Sequence, residues 1–254
     1  MRSNRLQLNA EKTEVLWVAS SRRQHQLPIT SMPIDGWSVD SVRSVQNLGV
    51  FLDSDLVMRT HVARVVSRCF AALRQLRLIR RSVSSSTFRM LVPALVLARL
   101  DYANSVLVGL PAYLIRRLQS VLNASARLVF GLRRSDHVTD ALITLHWLRA
   151  PERIQYKLAV LVFRVLHDIA PDYLGPLQRV SAHPGRRNLR SSSTARRLVP
   201  LVRRTTIGTR AFAVAGPAVW NTLPVDITSI DSLPAFRLRL KTHLFSLSFP
   251  NVVI

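Results

Sequence analysis

The chain has 254 residues, enough for one large domain or two small ones, and its 48% apolar content excludes general disorder. Its 36 basic residues stand against 14 acidic ones, a formal net charge of +22, and all but Lys12, Lys157 and Lys241 are arginine. Such a charge attracts polyanions, of which nucleic acid is the commonest, and arginine binds phosphate oxygens bidentately. A coding bias toward arginine would explain the shortage of lysine but not the shortage of acids.

The cysteine count and the hydropathy of the chain exclude several further classes of protein. Cys69 is the only cysteine, which excludes a disulfide scaffold or a multi-cysteine zinc site within one chain. It lies in the apolar stretch RVVSRCFAAL, which favours a buried thiol over a nucleophile. The longest apolar run, MLVPALVLA, is far shorter than the roughly 20 residues that span a bilayer. We therefore expect an intracellular protein, nuclear or cytoplasmic, that is not secreted and has no membrane partner.

The first 55 residues predict short β-strands separated by turns. TEVLWVA and VQNLGVFLD are rich in β-prone residues, and MPIDGWSVD between them carries an Asp-Gly turn signal. From Leu56 onward the apolar period changes to that of a helix. Its predicted buried face comprises Val62, Val65, Val66, Cys69, Leu73, Leu76 and Ile79.

The opposite face of this helix is basic. Arginines recur there at helical spacing, so we expect either a solvated outer face or a surface that contacts nucleic acid. The candidate nucleic-acid contacts on it are Arg64, Arg68, Arg74 and Arg77, with Arg81 following.

Further helices follow from local start and stop signals. A second begins at the Ser84–Ser86 caps and meets Pro93, and a third runs from Pro111 to Gly131. DHVTDALITLHWL predicts a short fourth helix. Pro151 opens a fifth, apolar on most sides and therefore central, that Pro171 ends; SLPAFRLRLKTHLFSL predicts a terminal helix.

A basic connector separates the helical region from the C-terminal segment. Residues 181–210 contain eight arginines and no acid, interleaved with Ser, Thr, Gly and Pro. The connector is either a solvated linker or a flexible phosphate-binding segment. Its candidate contacts are Arg186, Arg187, Arg190, Arg196, Arg197, Arg203 and Arg204.

No group of residues forms a complete active site. Asp53 and Asp55 could hold a metal, but their position between strand and helix favours a turn-and-cap role. Asp101, in LDYAN, lacks the second carboxylate of a two-metal centre. The histidines show no metal-binding spacing and the glycines form no phosphate loop. We predict no catalytic residue, no metal site and no cofactor.

Eight blocks of the sequence stand in this order along the chain: LQLNAEKTEVLWV, VQNLGVFLDSDL, ARLDYANSVLVGLP, RLQSVLNASARLVFGL, HVTDALITLHWL, RIQYKLAVLVFRVLHDIAPDYL, VAGPAVWNTLP and FRLRLKTHLF. The blocks and their order resemble those of LINE-type (non-LTR) retrotransposon reverse transcriptases of the Jockey-like branch, and the resemblance covers nearly the whole chain.

The resemblance implies which parts of the polymerase are represented. LNAEKTE resembles the motif just after the catalytic turn, and Lys12 matches its basic residue. The family's metal-binding aspartates lie upstream of that motif, so Mg²⁺ would serve only a palm that is missing here, and Met1 is expected to be internal to a longer ancestral frame. Leu48, Gly49 and Val50 match the primer grip, and residues 56–175 resemble the thumb. A Cys/His knuckle found in many relatives is excluded by the single cysteine.

The expected fold is mainly α, with a small β-rich palm remnant at 1–55, a helical thumb-like bundle at 56–178, a basic linker at 179–210 and a C-terminal segment at 211–254. The expected function is that of a truncated reverse transcriptase, not an enzyme, that binds RNA or DNA through phosphate contacts without sequence preference. The alternatives are an exapted module that binds a protein and a degenerate copy without function.

Overall fold

The computed structural model describes residue 9, residues 12–182 and residues 196–252, with the backbone alone at 182, 205 and 206. The described part is mainly α-helical, with two small antiparallel sheets near its N-terminus, which confirms the predicted fold class. The chain divides into two compact units, Met1–Val65 and Val66–Ile254. The division falls within the first long helix.

The first hairpin of the N-terminal unit forms where the sequence carries its Asp-Gly signal. Strands β1 (Met32–Ile34) and β2 (Trp37–Val39) pair antiparallel. Asp35 and Gly36 connect them with φ angles of 50° and 84°. Two consecutive positive φ angles are the mark of the turn whose twist matches that of a hairpin, and Asp-Gly is among the pairs that adopt it most readily.

The second hairpin uses the same geometry with a less favourable residue. Strands β3 (Ser44–Asn47) and β4 (Val50–Asp53) pair antiparallel, and Leu48 and Gly49 turn between them at φ angles of 45° and 82°. A leucine in this region of backbone space is uncommon, because its Cβ crowds the backbone.

The stretch TEVLWVA, residues 13–19, does not form the strand predicted for it. Val15 makes an isolated parallel bridge to Ser41, and its carbonyl accepts from the N–H of Val42 at 2.8 Å. The N–H of Ala19 donates to Ser54 O at 3.0 Å. These bonds reach separate loop residues, so no continuous ladder holds the stretch as a regular strand.

Helix α1 (Arg59–Ile79) begins a few residues after the predicted change of period. A carboxylate oxygen of Asp53 accepts from the N–H of Thr60 at 3.2 Å and satisfies one of the amides that the first helical turn leaves free. In the N-terminal unit, the buried His61 holds the sheet to the start of α1, since its Nδ1 accepts from the N–H of Phe51 at 3.4 Å.

The helices of the second unit begin and end close to the predicted signals. Ser84 Oγ accepts from the N–H of Thr87 at 3.1 Å, and Gly131, at φ 70°, ends the helix that follows Pro111. The second predicted helix changes to a π-helical turn at Pro93, which cannot donate an intrahelical bond. The elements are α2 (Ser85–Val92), the π turn (Pro93–Leu97), α3 (Ala98–Asp101), α4 (Ala112–Phe130), α5 (Thr139–Thr144), α6 (Ala150–Leu166), α7 (Thr205–Gly208), α8 (Phe212–Trp220), α9 (Val225–Thr228) and α10 (Leu233–Ser248).

Helix α6 ends at Leu166, earlier than Pro171, the residue predicted to end it. The N–H of Ile169 donates to Arg164 O at 2.8 Å and the N–H of Asp168 to Val165 O at 3.4 Å, with Asp168 at φ 53°. This pair of bonds is the Schellman motif, which normally uses glycine at the left-handed position. An aspartate can take that conformation, so the sequence shows no glycine there to mark the end.

Helix α6 is the central element of the second unit, as its apolar composition predicts. Phe163 stacks on Phe236 of α10 with ring centroids 4.5 Å apart, and Trp220 of α8 lies 5.7 Å from the same ring. Gly216 of α8 approaches α6 so closely that a Cβ added there would lie 3.0 Å from Val162 Cγ2. Across the described residues, no helix is both long enough and apolar enough to cross a membrane.

Candidate nucleic-acid interface

The arginines predicted on the outer face of α1 are exposed. Arg64, Arg68, Arg74 and Arg77 all face solvent. The opposite face is buried at Val62, Val66, Cys69, Leu73 and Leu76, whereas Ile79, predicted to be buried, is 41% exposed at the last turn.

Arg64 belongs to the N-terminal unit and has a local partner there. Its guanidinium carbon lies 4.6 Å from the centroid of the Phe51 ring. Such a cation–π contact holds the charged group over the sheet, where it remains exposed.

In the second unit, Arg80 joins the ends of α1 and α4. Its Nη2 donates to the carbonyl of Val129 at 3.3 Å, and its guanidinium carbon lies 4.9 Å from the Phe88 ring of α2. Arg89 of α2 lies over Phe130 of α4 at 5.4 Å. The C-terminal ends of α1 and α4 therefore meet beside α2.

Exposed arginines surround this junction, and sequence reasoning missed it as a unit. We call them the basic cluster: Arg77, Arg81, Arg89, Arg133 and Arg134. None of them has a carboxylate oxygen within 4.0 Å in the described part of the chain, where Arg59 pairs with Asp55 and Arg153 with Asp101. The nearest acid in sequence, Asp136, accepts from the backbone N–H of Arg133 at 2.7 Å.

A sequence signal for the cluster existed in the two arginine pairs, at 80–81 and 133–134. Each pair follows the last turn of a long helix, where cations also offset the negative end of the helix dipole. The interaction with the helix dipole is enough to explain each arginine pair on its own. The two pairs come close together only because helices that are distant in sequence pack against each other.

The basic connector is described only in part. Arg186, Arg187 and Arg190 lie outside the described residues. Arg196, Arg203 and Arg204 are exposed, as a phosphate-binding role requires.

Arg197 differs from its neighbours because the fold engages it. Its backbone N–H donates to the side chain of Asn221 at 2.9 Å, and its Nη1 donates to Leu177 O at 3.3 Å. The amide of Asn221 in turn donates to Arg197 O at 2.8 Å. Burial, and then the nearby charge of Arg179, lower the pKa of the Arg197 guanidinium. This geometry favours a structural role for Arg197 over phosphate binding.

The residues that match the primer grip lie at a turn. Leu48 and Gly49 are the two turn residues of the second hairpin, and Val50 opens β4. Leu48 is 85% exposed, so it projects from the hairpin tip.

The carboxylates considered for metal binding are engaged in local structure. Asp53 caps α1, as described above. Asp55 accepts from the N–H of Val57 at 3.1 Å and from Ser21 Oγ at 3.2 Å, and it also pairs with Arg59. The predicted turn-and-cap role of both aspartates is confirmed.

Asp101 is engaged as well, by Arg153 Nε at 2.9 Å and by Asn104 Nδ2 at 3.1 Å. Nowhere in the described ranges do three or more histidine, cysteine or acidic side chains gather as a metal site would require. These carboxylates do not fit the two-metal centre that the polymerase family uses.

Cys69 is buried with no exposed surface, as predicted. Burial raises the pKa of its thiol to about 11, partly offset by Arg99, and its Sγ lies 3.6 Å from Val96 O. A thiol of this pKa is protonated at neutral pH and unsuited to nucleophilic attack.

No protein-family model, no curated protein and no solved structure matches this chain significantly.

Proposed function

We propose that the chain is a non-catalytic nucleic-acid-binding protein related to the thumb and C-terminal region of LINE-type reverse transcriptases. The observation that carries the binding role is the basic cluster, an exposed group of arginines at the junction of α1, α2 and α4 that has no carboxylate partner among the described residues. The relationship to the family rests on the eight ordered sequence blocks alone.

The chemistry of the cluster suits phosphate. A guanidinium presents parallel N–H groups that match two phosphate oxygens. Arg89 is held over Phe130, so it loses less freedom when a phosphate binds than an unconstrained side chain would. The C-terminal ends of α1 and α4, next to the cluster, carry partial negative charge. The attraction for phosphate must therefore come from the arginine side chains and not from the helix backbone.

The binding expected of such a surface is independent of base sequence. Contacts to phosphate position a protein on nucleic acid without reading bases, and long-range attraction from a net charge of +22 adds to them. The exposed connector residues Arg196, Arg203 and Arg204 extend the proposed contacts. An intracellular location, nuclear or cytoplasmic, belongs to the same proposal.

Catalysis is not part of the proposal. In-line nucleotidyl transfer relies on metal ions held by clustered carboxylates. Asp53, Asp55 and Asp101, the aspartates considered for metal binding, are capping groups or ion-pair partners instead.

The proposal is tested by titrating the purified chain against labelled single-stranded RNA, single-stranded DNA and duplex DNA of several sequences, at a series of salt concentrations. We expect similar affinities across sequences and a logarithmic dependence on salt. The variant R81Q/R89Q/R133Q/R134Q should flatten the slope by about 0.7–0.9 for each phosphate that it no longer neutralises, which is roughly tenfold in affinity per phosphate at 0.1 M salt.

A matched control removes four exposed arginines outside the cluster, in R116Q/R117Q/R237Q/R239Q. Both variants lose the same net charge, so only a localised binding surface separates them. Equal losses of affinity in the two variants would show that binding depends on the net charge of the chain and not on the basic cluster. Absence of binding by the unmodified chain would overturn the proposal.

A further inference from the structure

Two of the three lysines in this chain line one cavity of the second unit. The cavity measures about 520 Å³, and Lys157 of α6 and Lys241 of α10 both contribute to its wall. Arginine accounts for all other basic residues of the sequence apart from Lys12. Two exposed lysine side chains, from helices that are distant in sequence but packed together, therefore line one cavity.

The charge of this cavity is not neutralised by its own lining. Its one carboxylate, Asp101, is engaged by Arg153 at 2.9 Å. Lys157 and Lys241 have no carboxylate oxygen within 4.0 Å among the described residues. The remaining polar groups include Tyr156. Burial raises the pKa of its hydroxyl, and the nearby positive charge of Arg237 offsets only part of that increase. Tyr156 therefore stays protonated and can donate a hydrogen bond.

A second, apolar cavity adjoins the first. It measures about 320 Å³ and is lined by Ile143, Leu238, Phe245 and Val252, together with Lys241 and His146, which also line the charged cavity. Both volumes fall in the range of about 300–1,000 Å³ that is typical of small-molecule sites.

His146 marks the boundary between the two cavities. Its backbone takes a φ of 51°, in the left-handed region, and its ring stacks against Phe245 with centroids 5.8 Å apart. This φ belongs to the Schellman motif that ends α5, in which the N–H of Trp147 donates to Leu142 O at 3.0 Å and the N–H of His146 donates to Ile143 O at 2.9 Å. These two bonds and the ring contact hold His146 where the charged and the apolar linings meet.

We propose that the two cavities form one site for a small organic anion with an apolar body. Its carboxylate lies against Lys157 and Lys241, with Tyr156 as a further donor, and its apolar chain lies along Leu238 and Phe245. The site uses none of the basic-cluster residues, so it goes beyond the proposed nucleic-acid binding and does not depend on it.

The test uses the full chain with decanoate as the probe, measured by calorimetry and by tryptophan fluorescence, to which Trp147 in the lining of the charged cavity contributes. Decanol carries the same tail without the charge, and acetate carries the head without the tail. We expect decanoate to bind and both controls to bind at least about tenfold more weakly, since each lacks one half of the interaction.

Four variants localise the binding. K157Q and K241Q should each weaken decanoate binding by about tenfold to a hundredfold, as expected when a charged hydrogen bond is lost. K12Q removes the third lysine, which is exposed in the N-terminal unit, and should leave binding unchanged. Leu238 is 68% exposed, so L238S should not disturb folding, yet it should weaken decanoate binding without affecting acetate.

Failure of this site is distinguishable from failure of the nucleic-acid proposal. The quadruple variant of the basic cluster should bind decanoate normally, and decanoate should not displace RNA. Equal binding of decanol and decanoate, or an equal loss of affinity in K12Q and K157Q, would overturn the site as described, and so would the absence of decanoate binding.

Discussion

Arg80 donates from its guanidinium to the carbonyl of Val129, 3.3 Å away, and so fastens the C-terminal end of α1 to that of α4. The same guanidinium lies over the ring of Phe88, which is fully buried. One arginine of a strongly basic surface is therefore part of the packing, while its neighbours remain exposed.

Replacing Arg80 with alanine should destabilise the second unit by about 1–2 kcal/mol, because one hydrogen bond and one cation–π interaction disappear. Urea denaturation measures the effect. The adjacent R81A removes an exposed arginine and should change stability by less than about 0.5 kcal/mol. Equal stability losses in the two variants would contradict the assignment of Arg80.

Cys69 should be unreactive while the protein is folded. With a pKa of about 11 in the fold and 9.0 as its ordinary value, its thiolate fraction at pH 8 falls about a hundredfold on folding, and burial slows attack further. Labelling with a disulfide reagent in buffer and in urea measures the difference. Comparable rates in the two conditions would show that the thiol is accessible.

The same shift predicts how stability depends on alkaline pH. The thiol loses its proton more readily in the unfolded chain than in the fold. Its contribution to the free energy of unfolding is therefore constant below pH 9.0 and decreases as the pH rises from 9.0 to about 11, which disfavours the folded state. A C69A variant should lose less stability over that interval than the unmodified chain does.

The connector arginines should separate into two groups. R196Q/R203Q/R204Q should weaken binding to all nucleic acids alike and flatten the salt slope, because these side chains are exposed. Extending the replacement to Arg186, Arg187 and Arg190 should flatten the slope further. R197Q should instead lower stability, since Arg197 bonds to Leu177 O. A salt slope that changes most in R197Q would contradict this division.

The chain should not extend a primer on any template, with Mg²⁺ or with Mn²⁺. The reason is that Asp53, Asp55 and Asp101 are occupied in caps and ion pairs, and that the described residues contain no group of three or more possible metal ligands. A primer-extension assay with a purified preparation measures this. Incorporation that disappears on mutating Asp53 or Asp101 would show that the chain is a polymerase.

The N-terminal region should open before the central helices. Its sheets have two strands each, and an isolated two-stranded hairpin is only marginally stable in water. Hydrogen exchange should therefore show residues 12–55 exchanging faster than residues 112–130 and 151–168. Equal protection in these regions would show that the hairpins are stabilised by more than their own pairing.

Features governed by neighbours in sequence could be predicted from the sequence alone. Ser84 caps α2, Pro111 and Gly131 bound α4, and Asp35 with Gly36 forms the first hairpin turn. Each depends on the backbone preference or hydrogen bonding of a few adjacent residues. Periodicity likewise predicted the buried face of α1, because burial follows the helical repeat.

Features that depend on distant segments were decided by the tertiary structure. The stretch 13–19 has β-prone residues but no neighbouring strand to pair with in the described chain, so it forms a single bridge. In the sequence, Arg197 cannot be distinguished from the other connector arginines. Its hydrogen bonds with Asn221 and Leu177 in the fold set it apart. Lys157 and Lys241 show no relationship along the chain, and only the packing of α10 against α6 brings them to one cavity. Local preferences specify each helix, but which side chains meet depends on how the helices pack.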